Sequence, residues 1–169
     1  MLLLLLLSNM KTNLYLDTSI PSAYFDISKP ARQIITQKWF ELDSEHYNLF
    51  VSVITIEEIE QLKNPIKKQS IKELLLNRNV NILELSDKAK NLADEYIKRG
   101  AIPRSEPADA LHIAIATVNS NEALASWNFK HIVSLSPIRK IHEINRKLHY
   151  PILEIGSLEI FGGAKYGNL

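Results

Sequence analysis

Short apolar runs alternate with longer amphipathic stretches along this chain. Leu14 to Leu16, Leu49 to Ile54, Asn79 to Leu85, Ala123 to Ser126 and Ile152 to Ile155 have the length and composition of strands. Between them the spacing is helical. Ile34, Ile35, Trp39, Phe40 and Leu42 line one side of Pro30–Leu42, opposite Arg32, Gln33, Gln37, Lys38 and Glu41. The polar stretch from Asp43 to Asn48 is predicted as a loop. A helix is predicted from Thr55, and Pro65 separates it from another over Ile66–Leu76. Ser86 is positioned to cap a helix that Gly100 ends, and Pro107 to open an apolar helix reaching Ser120. An amphipathic helix closes the series over Pro137–Leu148. Strands alternating with helices predict a three-layer α/β/α sandwich around a mostly parallel sheet. The expected domain spans residues 10–156, followed by a flexible tail over 157–169.

Composition narrows the chemistry. A chain of 169 residues with 46% hydrophobic and 23% charged residues suits one globular domain. The net charge of +1 means that a polyanion would need a local basic patch. Lys63, Lys67, Lys68 and Lys72 form one candidate patch, and Arg139, Lys140, Arg146 and Lys147 another. Solvated helix faces are the default reading of both. With no cysteine, disulfides, thiolate metal sites and cysteine nucleophiles are excluded. The leucine run near the start has no preceding positive charge and is too short to span a bilayer. Residues 1–9 are expected to be an upstream extension dispensable for folding, with Met10 as the natural start. No Gly-x-Gly-x-x-Gly or phosphate-loop motif is present.

The acids occupy equivalent places. Asp17 ends the first strand, before Thr18, Ser19 and Pro21. Glu58 lies in the helix after the second strand, and Asp109 lies in the first turn of the helix opened by Pro107. Each falls at the carboxyl edge of the predicted sheet, where open α/β sheets place their ligands. Asn128 follows the fourth strand in the same way. Clustered carboxylates repel unless a cation neutralises them, and oxygen ligands suit Mg²⁺ or Mn²⁺. Structural readings compete. Asp17 also suits a turn, and Thr55-x-x-Glu58 fits a capping box. Glu57 rivals Glu58, which the spacing favours. His112, three residues after Asp109, reads first as a hydrogen-bonded core histidine. Trp127 and Phe129 read first as core residues.

Four segments in order, YLDTS at 15–19, SVITIEEI at 52–59, PADALHIAIA at 107–116 and ASWNFKHI at 125–132, resemble the PIN domain. The closest likeness is to the VapC-like ribonuclease toxins of toxin–antitoxin pairs. The resemblance spans Asn13 to Val133. It implies an α/β/α sandwich that hydrolyses RNA with Mg²⁺ or Mn²⁺. Asp17, Glu58 and Asp109 match the family's acidic catalytic and metal-site residues. Asn128 stands where many relatives carry Asp; its amide oxygen makes it an additional candidate ligand, and one or two ions stay open. Thr18, Ser19 and His131 are weaker candidates for substrate contact. The resemblance also implies an RNA substrate, an antitoxin partner, a homodimer, no membrane association and a cytoplasmic location. Two alternatives are a catalytically impaired PIN-like binding module and an aspartyl-phosphate phosphohydrolase. The latter lacks a second Asp two residues after Asp17, where Ser19 stands.

Overall fold

Successive residues of the first strand feed opposite sides of the protein, because side chains alternate across a sheet. In β1 (Thr12–Leu16), Leu14 and Leu16 enter one apolar layer and Tyr15 the other, all fully buried. The computed structural model describes residues 11–162. Around β1 it places β2 (Tyr47–Ser52), β3 (Asn81–Leu83), β4 (Ala123–Ala125) and β5 (Glu154–Gly156). The order is β3-β2-β1-β4-β5 and every pairing is parallel. Leu14 aligns with Leu49 on one side and Ala123 on the other.

The helices are α1 (Ser19–Ala23), α2 (Pro30–Leu42), α3 (Val53–Glu60), α4 (Pro65–Asn77), α5 (Asp87–Lys98), α6 (Pro107–Val118) and α7 (Leu135–Lys147). Helices α1, α2 and α4 cover one face through Ile20, Trp39, Phe40, Ile71 and Leu74. Helices α5, α6 and α7 cover the other through Leu92, Tyr96, Ile113 and Ile141. The architecture is the expected three-layer α/β/α sandwich. The chain leaves β1 toward β2 on one side and later pairs β4 on the other. The carboxyl end of β1 is therefore the topological switch point, the place where such sheets bind ligands.

Several boundaries differ from the expected ones. β2 starts at Tyr47, after a short 3₁₀ turn over Ser44–His46, and ends at Ser52. Ser52 turns the chain because it is the N-cap of α3, with Thr55 at N3 closing a capping box. Its N–H donates to Thr55 Oγ1 at 3.4 Å. The expected box of Thr55 with Glu58 is thus displaced by three residues, and Glu58 falls in the second turn, free of capping. β3 is shorter than predicted and exposes Ile82 at the sheet edge. α7 begins two residues ahead of Pro137, whose missing N–H is harmless in a first turn. Residues 157–162, within the expected tail, pack onto the domain. There Leu158 and Phe161 are buried, and the Phe161 carbonyl accepts from Trp39 Nε1 at 3.0 Å and Tyr47 Oη at 2.9 Å. Residues 1–10 and 163–169 lie outside the described residues, so the expectations for the upstream extension and the last part of the tail fall there.

Three helices end on a non-glycine residue with positive φ: Asn79 after α4, Ser120 after α6 and His149 after α7. Gly100 does the same after α5 without a Cβ penalty. Ser120 is exposed and has no such freedom. Ser120→Gly is expected to stabilise the protein by about 0.5–1 kcal/mol, the left-handed cost less the added chain entropy. A thermal melt checks the rise.

Candidate active site

The fold brings β1, α3, α6 and the segment after β4 to one rim. Asp17 lies one residue beyond β1 and is 4% exposed. Its backbone N–H continues the ladder to the Ala125 carbonyl at 3.1 Å, so the side chain is aimed by the sheet itself. Oδ1 accepts from the Ser19 N–H at 2.9 Å and from the Ser19 hydroxyl; Oδ2 accepts from Ser126 Oγ at 2.6 Å. Ser19 Oγ also accepts from the Trp127 N–H at 2.8 Å, tying the two segments together. Burial pushes the Asp17 carboxyl above its usual range; His112 and the serine donors oppose that without cancelling it.

Glu58 reaches the same rim from the second turn of α3. Its Oε2 accepts from Thr18 Oγ1 and faces His112 Nε2 at 3.0 Å. Burial raises its carboxyl, but the His112 hydrogen bond and charge, with Thr18, outweigh this and hold it below the usual range. Glu57, the rival, is exposed. His112 is 2% exposed, and its Nδ1 faces Tyr15 Oη at 2.7 Å, which donates to Ser52 Oγ at 2.7 Å. The core-histidine reading therefore captures half of its setting: one ring edge is core, the other holds Glu58. His112→Ala is expected to cost about 2 kcal/mol, by leaving a void and stripping Tyr15 and Glu58 of a partner. The midpoint of a denaturant titration measures it.

Asp109 is set by α6, one turn after Glu106, the residue that precedes the helix as its N-cap. Burial raises its carboxyl first, and the nearby Asp17 charge raises it further, against His112 and His131. Asp109 Oδ2 accepts from Asn128 Nδ2 at 2.9 Å and faces His131 Nδ1 at 3.2 Å. The orientation of the Asn128 amide is unambiguous. The His131 N–H, which can only donate, is 3.0 Å from Asn128 Oδ1, so the amide nitrogen must face Asp109. Asn128 thus spends its oxygen on its own loop and braces Asp109 with its nitrogen. The tightest set of possible ion donors among the described residues is Glu106, Asp109 and His131, whose ligand atoms lie within 4.8 Å of one another. His131 Nδ1 is 3.8 Å from Glu106 Oε2. Asp17 and Glu58 sit outside that set, linked to each other through Thr18.

Glu106 was not among the candidates read from the sequence. The available signal is its spacing of three from Asp109, one helical turn. His131, a weaker candidate for substrate contact, packs against Asp109. Among the described residues, no Lys or Arg pairs with Asp17, Glu58, Glu106 or Asp109. Half of each basic patch is paired elsewhere: Lys68 and Lys72 on Glu60, Lys140 on the Gly100 carbonyl and Lys147 on Glu143. A hollow of about 430 Å³ at the amino rim, lined by Lys11, Tyr47, Asn48 and Asn81, is away from these acids. Convergent acids, not cavity size, mark the candidate site.

The family model described as PIN domain matches residues 14–127, and the chain belongs to that family. No curated protein matches it in sequence. Its fold is similar to Mycobacterium tuberculosis VapC20, described as a sarcin-ricin loop cleaving toxin. That likeness has TM-score 0.53 and 13% identity, over 70% of this chain and 92% of the other. It is also similar to VapBC2 from Rickettsia felis, bound to a DNA fragment from the promoter of the pair. Here the TM-score is 0.55 and the identity 19%, over 86% of this chain and 98% of the other. No helix among the described residues is long and apolar enough to cross a membrane.

Proposed function

We propose that this protein is a metal-dependent endoribonuclease and the toxin of a toxin–antitoxin pair. The observation that carries the reading is a gathering of carboxylates at the switch point with which, among the described residues, no Lys or Arg pairs. Such a set fits a hard divalent ion. Oxygen donors dominate, two of the carboxyls are raised by burial, and Asp109 is raised further by Asp17. Asp17, Glu58 and Asp109 would hold Mg²⁺ or Mn²⁺. Glu106 and His131 add donors on the Asp109 side, while Asn128 serves as a brace. When bound, the ion supplies an acidified water and neutralises charge on the phosphate.

The chain's own residues do the rest. Ser19 and Ser126 hold both oxygens of Asp17, Thr18 and His112 hold Glu58, and Asn128 holds Asp109. Fixed carboxylates orient the attacking water, in the sense that prepositioned groups lower the entropic barrier. The water oxygen bonds to phosphorus, the bond to the leaving sugar oxygen breaks, and that oxygen takes up a proton. No covalent enzyme intermediate is required.

The VapC20 neighbour, described as a sarcin-ricin loop cleaving toxin, and the VapBC2 pair support an RNA substrate and an antitoxin partner. A homodimer and a cytoplasmic location belong to the same proposal. The test is cleavage of a mixed RNA pool with Mg²⁺ or Mn²⁺, with EDTA as control. Cleavage that persists in EDTA, or none with either ion, rejects the reading. A catalytically impaired binding module would bind Mn²⁺ poorly in a calorimetric titration.

A further inference from the structure

Tyr15 lies in the core at the centre of β1, yet its hydroxyl belongs to a polar path that ends at Glu58. Tyr15, Ser52 and Thr55 are fully buried, and His112 nearly so. The Tyr15 hydroxyl donates to Ser52 Oγ at 2.7 Å and faces His112 Nδ1 at 2.7 Å. His112 Nε2 in turn faces Glu58 Oε2 at 3.0 Å. Ser52 is also the N-cap of α3, where its hydroxyl oxygen accepts the Thr55 N–H. The side chains therefore make a closed ring. It leaves α3 at its N-cap, passes through β1 at Tyr15 and α6 at His112, and returns to α3 at Glu58. From Ser52 to Glu58 the helix rises about 9 Å, so the ring is a strut alongside its first two turns.

The strut matters because Glu58 is the acid most in need of aiming. Its side chain is 36% exposed, against 15% for Asp109, while Asp17 is buried and aimed by the sheet ladder. Among the described residues its hydrogen bonds, with Thr18 and His112, both fall on Oε2. Oε1 is left to turn to a cation. Its direction then depends on how firmly His112 is held, because the imidazole cannot swing without moving Nδ1 off Tyr15. Burial pushes the Tyr15 hydroxyl above its usual range, so it keeps its proton and stays a neutral anchor. Outer partners of this kind govern the affinity of a metal ligand. We infer that Tyr15 is a positioning residue for Glu58: acting through His112, its hydroxyl sets the direction of the carboxylate and with it the affinity of the ion site. This rests on the proposed ion site for what Glu58 does, and the aim of the carboxylate is read without metal.

The experiment compares the full chain with Tyr15→Phe, which keeps the aromatic ring and removes only the hydroxyl. In EDTA, the carboxyl carbon of Glu58 is followed by NMR in glutamate-labelled protein and assigned by its loss in Glu58→Gln. In a second arm, Mn²⁺ affinity is measured by titration calorimetry. Tyr15→Phe is expected to shift the Glu58 signal, although the hydroxyl does not touch it, and to weaken Mn²⁺ binding about tenfold, the lower end for loss of an outer partner. On RNA, kcat should fall while KM holds. In a Glu58→Gln background, Tyr15→Phe should cost no further affinity, because the strut has no carboxylate to aim. Tyr96→Phe is the control for a lost buried hydroxyl: Tyr96 is fully buried and donates to Asn145 Oδ1 at 2.6 Å. It should leave both readings as in the parent. Parent-like Mn²⁺ affinity with an unmoved Glu58 signal in Tyr15→Phe overturns the inference. So does an equal loss in Tyr96→Phe, which would mark general loosening, or an undiminished loss in the Glu58→Gln background. Should Tyr15→Phe not fold, His112→Gln removes the next member of the strut, and parent-like Mn²⁺ affinity there overturns the inference as well. A parent that binds no Mn²⁺ removes the ion site, while the Glu58 signal in EDTA still decides whether Tyr15 aims the carboxylate.

Discussion

Replacing Asp17 with asparagine is expected to abolish metal-dependent RNA cleavage, by about 10³-fold or more, while leaving the fold intact. The size follows from the several kcal/mol of charge stabilisation that a correctly held ion supplies at a phosphate. The fold should survive because asparagine reuses the local bonds. Its Oδ1 can accept from the Ser19 N–H and hydroxyl, and its Nδ2 can donate to Ser126 Oγ, which already accepts from the Asn128 N–H at 2.9 Å. The exchange also removes a charge that burial disfavours and that raises Asp109. In metal-free buffer the variant should therefore melt no lower than the parent. Initial rates on the RNA pool, with a melt of the same preparation, check both halves. Parent-like cleavage by a folded variant would falsify the metal-site role of Asp17.

Asp17 and Asp109 were legible in the sequence because each is announced by its neighbours. A buried apolar run stops at Asp17, and Pro107 fixes the first turn that carries Asp109. Glu58 was identified, but its cap was misplaced. Thr55-x-x-Glu58 satisfies the motif, yet Ser52 captures the N-cap first, because β2 runs from Tyr47 and stops there. The consequence matters for the site. A capping glutamate would be committed to its own helix end, whereas this one is available to Thr18 and His112.

What could not be read depends on loops and long-range contacts. Glu106 and His131 meet across the segment after β4, and nothing in local periodicity brings them together. Helix ends show the same limit: Gly100 signals its left-handed turn, while Asn79, Ser120 and His149 adopt it without glycine. Trp127 and Phe129 have similar apolar signatures, yet Trp127 is 5% exposed and Phe129 47%. The brace made by Asn128 follows from the unambiguous donor at His131.

Stability should respond to pH in opposite senses with and without metal. Asp17 and Asp109 have folded pKa values raised above the ordinary 3.8. The folded state then binds protons more tightly than the unfolded chain, so these two groups contribute stability that is fully present below pH 3.8 and lost as pH rises through their folded values. Glu58, whose carboxyl is lowered, contributes the reverse: stability present above the ordinary value and lost as pH falls through its folded value. Subtracting the Asp17→Asn curve from the parent curve in EDTA should expose a term that declines with pH above about 4. Saturating Mn²⁺ should invert it, since the ion needs ionised carboxylates and protons compete for them. At a free ion concentration of about 100 times Kd, the gain near neutral pH should be about 2.7 kcal/mol, and should shrink as pH falls. Asp17→Asn should lose most of that gain. Denaturant titrations across pH, with EDTA and with Mn²⁺, measure the two slopes; identical slopes would mean that these carboxylates do not share an ion.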